Sequence, residues 1–381
     1  MAGRATIPGT EPPHGPRRLT MVISALALGG AERVLTLLAE EWVRAGHRVT
    51  VIDFAAPGEA AFYSLDSDVV EVRLGGRRRS RNPLDAILSN ARRIVRLRTA
   101  IRASRPDAVI SFIHRTNVLT LAATLGSPVP VIVTEHTDPR DNEASRPWSA
   151  LRSVLYRRAA AVLVLTRGTL SAFPPAIRRR VVVMPNPAGR YLTGRKPAEL
   201  AAPTIVAIGR LAWEKGYDRL LRAFARIAPD RPEWKLVIWG EGDGRAALEA
   251  LRSELGLDDR VTLPGVTRTP LDELSAASIL ALSSLREGFP MVIVEAFACG
   301  VPVVAFDCRS GPRELVRDGI NGRLVAVDDE AGLAAALATL MDDPAERRRL
   351  GANGPAAVEQ FGIDRVLAAW ENLFAMVIRP S

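Results

Sequence analysis

Three short stretches of this chain gather the side chains that could do chemistry. Glu287-Gly288-Phe289-Pro290-Met291-Val-Ile-Val-Glu295 sets one carboxylate on a loop after the apolar run Ile279–Leu282 and another on the helical pattern Met291–Ala298. A loop carboxylate and a helix carboxylate can meet different hydroxyls of one ligand. Gly288 and the residues after it can offer backbone N–H groups to a phosphate at the helix N-terminus. Two Glu so placed could equally form a solvated face, but Glu295 lies among Val292, Ile293, Val294, Ala296 and Phe297, which predicts partial burial and a need for partners. The second stretch, Gly209-Arg210-Leu211-Ala212-Trp213-Glu214-Lys215-Gly216, puts an Arg and a Lys at a helix entrance. Two cations with a helix N-terminus make a diphosphate clamp; a solvated basic turn is the plainer alternative. The third, Gly29-Gly30-Ala31-Glu32, follows an apolar run and opens a helix. Its glycines let the backbone approach a phosphate or sugar closely.

His114 and His136 each follow an apolar run, in His114-Arg115-Thr116-Asn117 and Glu135-His136-Thr137. A lone histidine is usually structural, but two at equivalent strand ends are candidates for a site. The Gly29-Gly30 turn is not G-x-G-x-x-G, and no G-K-[ST] follows it, so nicotinamide-dehydrogenase and Walker-type readings lose support. No H-E-x-x-H or C-x-x-C spacing occurs, so no metal site is expected, and no G-x-S-x-G or Cys/His hydrolase arrangement occurs either.

These residues sit in an alternation of short apolar runs and helical patterns. Leu19–Leu28, Arg48–Phe54, Val69–Leu74, Ala108–Ile113, Val129–Thr134, Ala160–Leu165 and Val181–Met184 read as strands. Ala31–Ala45 reads as a helix with Val34, Leu37, Leu38 and Trp42 on one face. Leu84–Ala103 reads as a long helix with Ile87, Leu88, Ala91, Ile94, Val95 and Leu97 inward and many Arg outward. After a Pro- and Gly-rich break from Pro185 to Pro203 the series restarts, with strands at Thr204–Ile208, Lys235–Trp239, Val261–Leu263, Ile279–Leu282, Val303–Ala305 and Gly322–Val325, then helices to the end. Strand–helix alternation predicts parallel sheets covered on both faces, which bind ligands outside the carboxyl ends of their strands. The expected domains are a disordered leader at 1–17, a first domain at 18–188, a linker at 189–202, a second domain at 203–362 and a terminal helix at 363–381.

With 381 residues, 48% hydrophobic and 24% charged, the chain is neither disordered over most of its length, nor a disulfide scaffold, nor fibrous. Cys299 and Cys308 are its only cysteines, which fits a reducing cytoplasm. Arg17-Arg18 before an apolar run mimics a twin-arginine signal. The run is short for that role and flows into a long amphipathic pattern, so it reads as a first strand. No apolar run reaches the ~18 residues that span a bilayer. Residues 1–196 carry 30 Arg and Lys against 15 Asp and Glu, while the rest carries 21 against 27. Only Lys196, Lys215 and Lys235 are lysines, so part of the Arg surplus is compositional; the asymmetry between halves is not. Aromatics at 5% do not interleave with the basic runs, which argues against stacking on nucleic acid.

With these residues assembled, the chain resembles the retaining glycosyltransferases of family 4, which have the GT-B architecture. The likeness runs from Leu19 to about Ile378 and rests on GGAERV (Gly29–Val34), GRLAWEKG (Gly209–Gly216) and EGFPMVIVEAFACGVPVVAFD (Glu287–Asp307), in that order. Gly311–Val316 and Asp318–Val325 match the family's closing pattern. The resemblance implies an α/β protein of two Rossmann-like domains facing across a cleft, the terminal helix crossing back to the first. It implies that Arg210 and Lys215 hold the diphosphate of a nucleotide sugar. Glu295 would bind the ribose, and Glu287 with the backbone of Gly288 and Phe289 would grip the donor sugar. Gly29 and Gly30 would approach the phosphates or acceptor, and His114, by its backbone or its side chain, would lie beside the reacting sugar carbon. His114, Glu287, Arg210 and Lys215 would carry the catalysis. No cofactor or metal is expected beyond the nucleoside-diphosphate sugar, a co-substrate. Ser111–Asn117, Val133–Pro139 and Phe306–Pro312 look like members that build surface polysaccharides or lipid-linked oligosaccharides, many of which use UDP-N-acetylhexosamines. A soluble small-molecule acceptor, or a phosphorylase or epimerase of the same architecture, are the alternatives. The basic half points to an acidic acceptor or an anionic membrane, hence a cytoplasmic protein with peripheral contact to the inner face of the plasma membrane. Arg77–Arg81 and the Arg92–Arg105 helix are the expected contacts.

Overall fold

Short apolar runs ended by glycine, proline or a polar turn become the strands of two separate sheets. The structure, a computed structural model, describes residues 15–76, 82–141, 146–192 and 203–378. Arg77–Arg81 lie outside the described residues, as does most of the expected linker. The chain divides into two compact units, Met1–Pro185 with Asp364–Ser381, and Asn186–Ile363.

In the first unit the strands are β1 (Arg18–Val22), β2 (Arg48–Asp53), β3 (Val70–Arg73), β4 (Ala108–Phe112), β5 (Val131–Glu135), β6 (Ala161–Val164) and β7 (Val181–Val183). They form one parallel sheet in the order β3-β2-β1-β4-β5-β6-β7. β4, β5 and β6 are buried along their whole length, as strands covered on both faces must be. The order reverses between β1 and β4, which makes their carboxyl ends this unit's switch point, the place where an open α/β sheet accepts a ligand.

The C-terminal helix Ile363–Val377 belongs to this unit's core. Val366, Trp370, Leu373 and Phe374 share one cluster with Met21, Val51 and Ile110, and the Trp370 ring meets Trp42 edge-on at 5.3 Å. Its polar side is anchored at Glu371, which pairs with Arg17 and with His47 Nε2 at 3.1 Å. Those partners hold the Glu371 carboxyl below its usual range despite burial. Arg17 is itself buried and Arg18 pairs with Asp107, so both members of the Arg17-Arg18 pair have structural work.

The helix Pro83–Ser104 corrects one expectation. It starts where Asn82 accepts the Asp85 N–H at 2.8 Å, with proline at its first position. Leu97 and Ile101 are buried, with Ile94 packed against the same core, whereas Leu84, Ile87, Leu88 and Val95 are 73%, 66%, 56% and 64% exposed. Apolar residues occur around most of this helix, so periodicity alone could not select the buried face. Packing of Leu97 and Ile101 selected it and left a second apolar stripe outside.

The second unit has β8 (Thr204–Ile208), β9 (Lys235–Trp239), β10 (Val261–Gly265), β11 (Ile279–Leu282), β12 (Val303–Phe306) and β13 (Gly322–Val325), parallel in the order β10-β9-β8-β11-β12-β13. Its switch point lies between β8 and β11. The helix Tyr217–Ile227 after β8 buries Leu220, Leu221, Phe224 and Ile227 against this sheet. Among the described residues no helix is long and apolar enough to cross a membrane.

Candidate functional site

In the second unit the two loops at the switch point are tied to each other. The loop after β8 makes one turn of 3₁₀-helix, Trp213–Lys215, and ends at Gly216 with φ +60°. A Cβ at Gly216 would run into the Ser283 carbonyl, so conformation and space both require glycine. Ser283 Oγ donates to the Lys215 carbonyl at 2.9 Å, and the Leu285 N–H donates to the Glu214 carbonyl at 2.8 Å.

This places the Lys215 ammonium 2.6 Å from Glu287 Oε1, and Ser284 Oγ donates to that same oxygen at 2.7 Å. Ser310 Oγ fixes the Glu287 carbonyl at 2.7 Å. The side chains of Lys215 and Glu287 keep 23% and 9% exposure, so the pair is sheltered yet reachable. Tyr217 lies buried beside it, and burial together with the Glu287 charge pushes its phenol far up, so it stays protonated. An ammonium has three N–H groups, and a ligand phosphate can take those that Glu287 does not.

Arg210 stays outside this cluster. It is exposed and pairs with Glu214 one turn further on. Gly288 and Phe289 are buried, the Phe289 ring edge-on to Phe361 at 5.2 Å. The helix Met291–Ala298 begins at Pro290 with no side-chain cap; the Ile293 N–H donates to the Pro290 carbonyl at 3.0 Å, and an anion can be served by the N–H groups before it. Glu295 is buried in that helix, as its apolar neighbours predict.

In the first unit, Gly29 has an extended backbone (φ −174°) that any residue adopts. A Cβ there would meet only the movable end of Glu32, and at Gly30 it would meet nothing within 4 Å. The fold therefore does not demand these two glycines. His114 opens the helix His114–Ala123 directly after β4. Its ring is buried, Nδ1 lies 3.5 Å from Glu135 Oε1, and neither ring nitrogen completes a hydrogen bond. His136 follows β5, stacks on Phe112 at 5.4 Å and meets Thr134 Oγ1 at 3.1 Å. Desolvation lowers its pKa to about 4, so the ring is neutral at pH 7. Among the described residues no group of three or more His, Cys, Asp or Glu is placed to hold a metal ion.

Sequence reasoning passed over Ser283, Ser284 and Ser310, which position the Lys215–Glu287 pair, and over Asn117, Glu135 and Tyr156 behind His114. A glutamate closing the apolar run Val131-Ile-Val-Thr-Glu135 was a signal in the first unit. Nothing local marks the serines or Tyr156, because their partners are far away in sequence.

Comparison with known proteins agrees with this architecture. A family profile described as "Glycosyltransferase Family 4" matches residues 28–188, and one described as "Glycosyl transferases group 1" matches residues 195–357. An alpha-1,4-N-acetyl-D-galactosaminyltransferase of Campylobacter jejuni, named for an acceptor saccharide on PP-undecaprenol, is 30% identical over 94% of this chain and 99% of its own length. An exopolysaccharide phosphotransferase of Streptomyces coelicolor is 36% identical over 57% of this chain, which spans only 23% of that longer protein. The structure of the Anabaena protein HepE in complex with UDP and glucose has a TM-score of 0.78 at 21% identity, covering 94% of this chain and 99% of that one. The fold is therefore of the GT-B class, two Rossmann-like units each built on a parallel sheet. Thirty per cent identity to a named sugar transferase over nearly the full length of both chains, joined to profile matches over both units, makes this chain a glycosyltransferase and a member of glycosyltransferase family 4.

Proposed function

We propose that this enzyme moves a hexose or N-acetylhexosamine from a nucleoside-diphosphate sugar, UDP-sugars first, to a hydroxyl of a lipid-linked saccharide, with retention of configuration. The observation that carries this reading is the Lys215–Glu287–Ser284 cluster at the β8/β11 switch point. Lys215 holds the leaving diphosphate, helped by the N-terminus of the Met291–Ala298 helix, which starts four residues after Glu287; Arg210 joins once it releases Glu214. Glu287 takes donor-sugar hydroxyls, Gly288 and Phe289 contribute backbone, and Glu295 takes the ribose. Charge develops on the leaving diphosphate as the glycosidic bond breaks, and preorganised cations stabilise it there. A phosphate oxygen on the same face accepts the acceptor's proton, so front-side attack needs no paired-carboxylate geometry. In this reading the cations do the charge work and no metal cofactor is required.

The lipid-linked acceptor is supported by the Campylobacter relative's named substrate, and UDP by the ligand of the Anabaena structure. The outer stripe of the Pro83–Ser104 helix adds a physical argument. Its exposed Leu84, Ile87, Leu88 and Val95 lie among exposed Arg92, Arg96 and Arg102, the composition of a surface that docks on anionic lipid. In this reading the protein works at the cytoplasmic face of a membrane, where a lipid-linked acceptor is presented.

Purified protein screened by thermal shift against a nucleotide-sugar panel should respond to one UDP-sugar, and transfer to undecaprenyl-diphosphate saccharide should follow with the α-anomer retained. No response to any nucleotide sugar would overturn the reading. Formation of sugar phosphate from inorganic phosphate without acceptor would mark a phosphorylase, and turnover on soluble acceptors alone a small-molecule transferase. Co-sedimentation should rise with phosphatidylglycerol content and fall with salt; binding indifferent to both would remove the membrane role.

A further inference from the structure

Behind His114 lies a buried polar network that the reaction as described does not use. Glu135 closes β5 with its side chain 1% exposed. Its Oε1 accepts the Tyr156 hydroxyl proton. The Tyr156 oxygen in turn accepts Asn117 Nδ2–H at 3.0 Å, and Asn117 Nδ2 also donates to the Thr134 carbonyl at 2.9 Å. Tyr156 sits on the turn Tyr156–Arg158 and Asn117 in the first turns of the His114 helix, so three distant segments converge on one carboxylate.

Two features need a reason. Ile113, directly before His114, holds φ +70°, a conformation that a β-branched residue adopts only when its surroundings impose it. It is retained because the Ile113 N–H donates to Thr134 O at 3.2 Å while Asn117 ties that same carbonyl and its own N–H bonds back to Ile113 O. The second feature is a buried carboxylate beside a buried imidazole that makes no hydrogen bond. The carboxylate has Tyr156, but the ring has no partner, and a proton on Nδ1 turned the short distance to Glu135 would give it one.

We propose that Glu135, braced by Tyr156 and Asn117, is the positioning residue for His114: it accepts the Nδ1 proton, fixes the tautomer and orientation of the ring, and holds the strained turn that starts the helix. The titratable groups beside it are Tyr156, which also feels Arg152, and His136 on the loop after β5, while Arg115, next to His114 in sequence, stacks over Trp148 of the Arg146–Leu155 helix. Tyr156 is raised well above its ordinary value by burial and by Glu135, so it remains a proton donor throughout the working range. A placement of His114 beside the reacting sugar carbon rests on the proposed transferase reading; the proton link to Glu135 does not.

The test separates the two. The chain has four histidines, so ring-¹⁵N spectra of the intact protein are assignable by single substitutions. In Glu135→Gln the His114 ring ¹⁵N shifts should lose the signature of a proton fixed on Nδ1, because the accepting carboxylate is gone, and in Tyr156→Phe they should change by less. With a donor in hand, Glu135→Gln should lower kcat at least tenfold with donor Kd within about twofold of wild type. Tyr156→Phe, which keeps the ring and the packing, should show an intermediate loss. His114 spectra unchanged in both variants would overturn the proposal. A changed His114 tautomer signature in a protein that turns over no nucleotide sugar would support the proton link and refute the transferase reading instead.

Discussion

Removing the ammonium of Lys215 should produce two separable losses, one repaired by a second substitution and one not. The Lys215–Glu287 contact of 2.6 Å joins side chains 23% and 9% exposed. Breaking a fully buried pair by deleting one partner costs about 3–5 kcal/mol, because the other charge stays uncompensated. Here the lysine keeps about a quarter of its exposure, and Ser284 still donates to the stranded oxygen at 2.7 Å. Lys215→Ala should therefore destabilise the second unit by about 2–3 kcal/mol. Adding Glu287→Gln removes the stranded charge and should recover most of that loss. Binding of UDP or a UDP-sugar should behave differently. A lost charge-assisted contact to phosphate is worth about 1.5–3 kcal/mol, roughly a 10- to 150-fold rise in Kd, and the second substitution supplies no cation. Urea unfolding read by tryptophan fluorescence, beside calorimetric titration with UDP, measures both quantities on the same three proteins. A double variant that regains wild-type affinity along with its stability would show that Lys215 only supports the loop, and the clamp assignment would fall.

Other consequences can be checked alongside. Glu295→Ala should weaken donor binding tenfold or more, read by the same titration. Gly29→Ala and Gly30→Ala should unfold within about 0.5 kcal/mol of wild type, since nothing rigid meets their Cβ, while transfer activity falls at least tenfold if a ligand approaches that backbone. Gly216→Ala should cost about 2 kcal/mol or more by urea unfolding, because φ +60° and the Ser283 carbonyl both oppose a side chain. His136 has a pKa lowered to about 4 in the folded protein against 6.5 in an unstructured chain, so its contribution to stability is complete above pH 6.5 and is lost as pH falls toward 4. Melting curves of His136→Asn should accordingly lose less stability than wild type between pH 6.5 and 4, by at most about 3 kcal/mol; parallel curves would contradict the assignment.

The alternation of β-length apolar runs with helical periodicity was enough to establish two parallel α/β units, because each strand of a doubly covered sheet must be apolar throughout. Gly209–Gly216 and Glu287–Glu295 were legible as a site because strand-end turns that handle phosphate need cations, glycine and a helix N-terminus close together in sequence. What each side chain meets was not legible. Lys215 and Arg210 look equivalent in the sequence, yet one pairs with Glu287 and the other turns to Glu214. Ile87 and Leu97 look equivalent as helix apolars, yet one is exposed and the other buried. The Glu135–Tyr156–Asn117 network joins positions whose spacing carries no local signal. Periodicity and turn chemistry act over a few residues and are written along the chain. Pairing, burial and proton placement depend on which distant segments the sheet order brings together, and only the folded sheets decide that.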